Sequence, residues 1–153
     1  MPMVLVITAG LCITVKILGA LEWAPLYRSF MFIPAQLLSF FFLRDYNEFE
    51  GVYTFPGFVM DYSCSGIHFF MVALLVTAYA GKRSVGGFLP GLVAAYLLTL
   101  AANTARIALF LKVEHFSHGR PWLHEAIGTL VFVSFLLSYY LILNHRRQNA
   151  AQR

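Results

Sequence analysis

Apolar residues along the chain gather into five runs separated by short polar segments. The runs cover residues 3–21, broken by Lys16; 29–43, which follows Pro25 and contains Pro34; 65–81; 88–111; and 124–143. A helix rising 1.5 Å per residue needs about 20 residues to cross the hydrocarbon core. The fourth and fifth runs meet that length. The third is short, so it must tilt, thin the bilayer or begin earlier than its apolar residues suggest. The second is the weakest, and a re-entrant or interfacial helix competes with a spanning one. No internal repeat or low-complexity segment interrupts the series. The pattern predicts an all-α, polytopic transmembrane helical bundle of about five helices in one domain, residues 1–153, with a basic tail over 144–153.

Composition supports the lipid reading. Hydrophobic residues make up 59% of the 153 positions and charged residues 12%, against roughly 25% charged in soluble domains. A soluble fold of this size could not hide that much apolar surface, so lipid must solvate part of it. The net charge of +4 does not point to nucleic acid. Basic residues stand singly or in pairs between apolar runs, most densely at Lys82-Arg83 and Arg146-Arg147, which is a topology signal. The first run has no basic segment ahead of it and reads as a retained helix rather than a cleaved leader. Of the two cysteines, Cys12 lies within an apolar run and reads as a packing residue. Without a C-x-x-C motif, Cys64 reads as a free thiol.

The loops give an orientation. An even number of crossings separates 81–87 from 144–153, and both are basic, so the positive-inside rule puts both in the cytoplasm. The acidic segment 44–63 and the segment 112–122 then lie outside. With five crossings, Arg28, Lys82, Arg83, Arg146, Arg147 and Arg153 fall inside, against Arg44, Lys112 and Arg120 outside. Five crossings put the N-terminus outside; if the second run does not span, it lies inside.

This orientation predicts a meeting of polar groups. Cys64 opens the third helix at its outer end, and His124 opens the fifth at its outer end. Arg106 sits about four to five residues before the fourth helix exits, roughly 7 Å below the surface. An intramembrane Arg is costly against lipid and is normally turned toward a partner or a polar cavity; snorkelling to the headgroups is the plainer alternative. Asn103, three residues earlier, shares its helix face. A thiol attacks as thiolate, which a helix N-terminus, a guanidinium or an imidazolium stabilises. Ser65 and Gly66 follow Cys64, and free N–H groups of that first turn could cradle an oxyanion. His124 is the expected base and proton donor to a leaving amine. His68, four residues past Cys64, is a rival base on the same face or else a helix–helix hydrogen-bonding residue. Asp61 is expected to cap the third helix or meet Arg106. His115, His118 and His124 could instead form a loosely spaced metal cluster.

Taken in order, "YSCSGIHFF" with Cys64, "ANTARIALF" with Asn103 and Arg106, and "LHEAIGTLVF" with His124 and Gly128 resemble the exosortase/archaeosortase family of integral membrane cysteine transpeptidases, closest to the exosortase K branch. The resemblance covers about residues 60–132. It implies a Cys64–Arg106–His124 site facing the exterior of the cytoplasmic membrane, with Cys64 as nucleophile, Arg106 as electrostatic stabiliser and His124 as acid/base. Its implied substrate is an exported protein with a C-terminal sorting tail like that of PEP-CTERM proteins: a short motif, a hydrophobic helix and a basic end. An amine or water would resolve the acyl-enzyme. No cofactor, metal or nucleic-acid partner is implied; membrane lipid is. Two readings from other classes compete. One is a non-catalytic membrane subunit or small transporter that binds an anionic substrate through Asn103 and Arg106. The other is a zinc-dependent membrane hydrolase using the histidine cluster.

Overall fold

The computed structural model describes residues 2–42, 45–80, 85–117 and 121–151. Five helices carry the fold: α1 (Pro2–Ala20), α2 (Ala24–Phe42), α3 (Ile67–Ala80), α4 (Val85–Ser117) and α5 (Pro121–Ala151). Between α2 and α3 the chain forms three short strands, β1 (Asn47–Phe49), β2 (Val52–Phe55) and β3 (Phe58–Met60), and then a single 3-10 turn, Tyr62–Cys64. The protein is an all-α bundle bearing a small sheet. Among the described residues, four segments are long and apolar enough to cross a membrane: Met3–Ala20, Tyr62–Ala80, Phe88–Val113 and Glu125–His145. Their outward faces carry large apolar side chains such as Val6, Ile13, Leu75, Val93, Leu97, Leu130 and Leu137, as lipid-facing surfaces should.

The helices run past the apolar limits of the sequence. α4 continues to Ser117 and α5 to Ala151, so the basic tail is helical as far as Ala151. The short third run gains length by beginning earlier: the 3-10 turn extends its span to 19 residues.

α2 is not among the four spans, which are set by length and apolarity. Its contacts hold it at one pole. Tyr27 packs tilted against Tyr62 with centroids 4.3 Å apart, and its hydroxyl donates to the Gly19 carbonyl at the end of α1 (2.7 Å). Phe30 packs on Phe70 and Tyr96. Met31, Ala35 and Leu38 share a core with Tyr53, Phe55 and Met60 of the sheet and Ile107 of α4. Both ends of α2 therefore stay in the half of the bundle that holds Cys64. This corrects the placement of Arg28 on the far side: its Nη2 donates to both carboxylate oxygens of Glu48 in β1, at 2.8 and 2.9 Å, within the acidic segment. α1 accordingly begins, and α5 ends, at the pole opposite Cys64.

The expected loop over 44–63 is a β-meander, β1-β2-β3, with both pairs antiparallel. Two tight turns set its register. Glu50 and Gly51 both adopt positive φ (50° and 84°), the backbone that two-residue hairpins favour. Pro56-Gly57, with Gly57 at φ 94°, suits a type II turn. Phe49 thus faces Val52 and Phe55 faces Phe58. The face carrying Tyr53, Phe55 and Met60 is buried against α2 and α4, whereas Thr54 and Val59 point away.

The opposite pole has its own polar clamp. Tyr139 of α5 hydrogen-bonds Thr77 of α3 at 2.7 Å and donates to the Gly91 carbonyl of α4 at 3.4 Å. Gly91 permits this crossing, because a Cβ there would strike the Thr77 methyl. Small residues at such interfaces let helices approach where lipid offers no hydrophobic drive between them.

Candidate functional site

Cys64 ends the 3-10 turn and does not open α3. Asp61, extended at φ −95° and ψ −172°, caps the turn: its Oδ1 accepts from the Ser63 amide (3.0 Å) and the Ser63 hydroxyl (2.6 Å). The Cys64 amide donates to Asp61 O (2.9 Å) and the Ser65 amide to Tyr62 O (3.3 Å). These two N–H groups are committed to the turn, so of the first-turn N–H groups expected to cradle an oxyanion, that of Ser65 is already engaged. Buried Ser65 takes a capping position, its Oγ accepting from the Ile67 amide at 3.4 Å. Gly66, at φ +71°, then turns the chain into α3. A side chain there would be strained, and its Cβ would lie 3.3 Å from Asn103 Cγ and 3.4 Å from the Thr99 methyl.

That left-handed step breaks the helical register between Cys64 and His68. His68 is exposed, while Ile67, Phe69 and Phe70 beside it are buried. The expectation that His68 shares a face with Cys64 is therefore corrected. It assumed a continuous helix where a 3-10 turn and a glycine intervene.

α4 supplies the polar stripe. Asn103 is wholly buried and Arg106 nearly so, which excludes a guanidinium snorkelling to the headgroups. The Asn103 amide donates to the Cys64 carbonyl at 2.6 Å, tying the α4 stripe to the cysteine turn. Arg106 and Asp61 both lie within electrostatic reach of the Cys64 sulfur, with opposite sign. The sulfur is half-buried, 4.0 Å from Ser63 Oγ, and packs against the core shared by α2, α4 and the sheet.

α5 closes the other side of Arg106. A Cβ on Gly128 would lie 2.9 Å from Arg106 Nε, 3.4 Å from Cδ and 3.5 Å from Cζ. The bare glycine lets the guanidinium lie against the α5 backbone. Phe132, one turn later, places its ring centroid 5.4 Å from Arg106 Cζ, a cation–π distance. His124 is one helical turn before Gly128 on the same helix; its side chain lies outside the described residues. So do the side chains of His115 and His118, on which a zinc cluster would depend. Among the described residues, no group of three or more His, Cys, Asp and Glu could hold a metal.

The structure therefore brings together Cys64, Ser65, Gly66, Asn103 and Arg106, with Asp61 bracing the turn, and leaves His68 apart. Gly128 and Phe132 are functional neighbours of Arg106 that the sequence pattern alone does not single out. Their spacing of four residues, one turn apart on α5, was the available signal. No protein-family model, curated protein or solved structure matches the chain.

Proposed function

We propose that the chain is a membrane-embedded cysteine peptidase or transpeptidase that cleaves C-terminal sorting tails of exported proteins through a thioester on Cys64. The observation that carries this reading is the bond between the Asn103 amide and the Cys64 carbonyl, which joins a thiol turn to a buried guanidinium within one pole of the bundle. An arginine kept inside a membrane bundle is expensive and is retained where it faces a charge that matters. The thiolate and the oxyanion that forms from a peptide carbonyl are such charges. The resemblance of the three sequence blocks to the exosortase/archaeosortase family points to the same chemistry.

The reaction needs only the tailed substrate and an amine acceptor or water. Cys64 Sγ gives its proton to His124 and attacks the scissile carbonyl carbon. The C–N bond breaks, and the leaving amine takes that proton from His124. Arg106 stabilises the thiolate before attack and the oxyanion after it. An amine acceptor or water then gives a proton to His124 and attacks the thioester carbon; the C–S bond breaks, and the Cys64 thiolate takes that proton back from His124. The basic pairs Lys82-Arg83 and Arg146-Arg147 favour a cytoplasmic location for the opposite pole. The site would then face the exterior of the cytoplasmic membrane, at the depth where a substrate's tail helix emerges from lipid.

The test is cleavage of an exported protein carrying a hydrophobic, basic-ended tail, in cells expressing the chain or its variants. Cys64→Ala and Arg106→Ala should leave the precursor uncleaved. Cleavage at the normal rate in Cys64→Ala removes the peptidase reading, and the anion-binding reading of Asn103 and Arg106 would then stand.

A further inference from the structure

We infer that Asn103 is the positioning residue for the Cys64 thiol: its amide holds the cysteine turn in register with Arg106, so that α4 presents sulfur and guanidinium as one unit. The inference deepens the peptidase reading and rests on it. Four observations carry it. The Asn103 Nδ2 to Cys64 O bond is 2.6 Å long and joins residues 39 apart in sequence. Asn103 has no exposed surface. Gly66, whose positive φ admits the close passage, brings the backbone just past Cys64 against Asn103 Cγ. Finally, Asn103 Oδ1 is buried with no hydrogen-bond partner among the described residues.

That last point separates positioning from packing. Flipping the amide would set Oδ1 against the Cys64 carbonyl oxygen, so the acceptor fixes the orientation. Among the described residues, nothing offsets the cost of burying Oδ1. An apolar residue of similar volume would fill the space without that cost. An amide at this site is explained by its donor, and the group receiving the donor is the carbonyl of the cysteine itself. Thr99 is the natural control. Its methyl also borders Gly66, 3.4 Å from where a Cβ would stand, but its hydroxyl donates back to Ala95 O at 2.8 Å.

The measurement needs no substrate. The full chain in lipid vesicles, carrying Cys12→Ala so that Cys64 is the remaining thiol, is alkylated with iodoacetamide across a pH range. Asn103→Leu removes the donor at nearly constant volume. It should slow Cys64 alkylation about tenfold at neutral pH and move the midpoint of the rate–pH profile upward, as sulfur and guanidinium lose register. Asn103→Asp supplies the rescue. Its carboxyl can donate to the Cys64 carbonyl only when protonated, so alkylation relative to the Cys12→Ala parent should recover as pH falls. Thr99→Val should match the parent. Thermal unfolding of each variant in the same vesicles identifies any that fail to fold, and Asn103→Ser then replaces Asn103→Leu. Unchanged profiles in folded Asn103→Leu and Asn103→Asp overturn the inference while leaving the peptidase reading intact. An unreactive Cys64 in the parent overturns both.

Discussion

Gly128→Ala is the perturbation that presses hardest on the geometry of the guanidinium. The added methyl would lie 2.9 Å from Arg106 Nε and 3.4 Å from Cδ. Carbon and nitrogen prefer roughly 3.5–4.0 Å, so the side chain must retreat by about 0.6 Å or more. Arginine is flexible at its far end, but here retreat is constrained: the residue is buried, and Phe132 lies on the guanidinium. Overpacking a confined site costs about 1–3 kcal/mol, which sets the expected loss of stability in lipid or detergent. The functional loss should be larger in proportion, because a displacement approaching 1 Å can lower a rate about 10²-fold. Tail cleavage and the Cys64 alkylation rate report the displacement; thermal unfolding reports the strain. Arg106→Lys provides the second arm of a double-mutant cycle. Lysine has no guanidinium plane to meet the methyl, so Gly128→Ala should cost less in that background. Wild-type cleavage and stability in Gly128→Ala would refute the idea that α5 holds Arg106 in place, as would costs that simply add in the double variant.

Four further outcomes follow from the same contacts. The Arg28 hydrogen bond, helped by the Gly51 amide, holds the Glu48 carboxyl below its ordinary range. The pair's contribution is present above the unfolded carboxyl pKa and is lost as pH falls through the lower folded value, so amide exchange across β1 and β2 should rise in acid, and Glu48→Gln should remove that dependence. Gly66→Ala forces a left-handed backbone on a residue with a Cβ and should cost about 1–2 kcal/mol in thermal unfolding, with a loss of cleavage. His68→Ala should leave Cys64 alkylation and cleavage unchanged, since the side chain is exposed and off the cysteine's register. Tyr139→Phe removes the hydroxyl clamp at the opposite pole and should lower stability by about 0.5–1.5 kcal/mol without moving the alkylation profile.

The bundle was legible because lipid imposes its length rule directly on the apolar runs. The buried Asn103–Arg106 stripe followed from a spacing of three. The meander was harder to read. Its signals were present in Glu50-Gly51 and Pro56-Gly57 flanking "VYTF", but a strand of three or four residues has no period to count. α2 was ambiguous because its mean apolarity fits either a span or an interfacial helix; Tyr27 on Tyr62 at one end, and Leu38 in the core with Tyr53 and Met60 toward the other, hold it to the Cys64 half, and these are long-range contacts. The start of α3 was misread for a local reason. "SCSGIH" has no feature that separates a helix N-terminus from a 3-10 turn plus a left-handed glycine, and that difference moved His68 off the cysteine's face.

The central claim is that Cys64, held by Asn103 and faced by Arg106, attacks a peptide carbonyl. The most direct measurement is rapid acid quenching of the full chain in vesicles with a tailed exported protein, followed by mass mapping of the adduct. The account predicts an acyl group on Cys64 that hydroxylamine releases and that does not form in Arg106→Ala. A substrate cleaved with no adduct on Cys64, or with the acyl group on another residue, would contradict it.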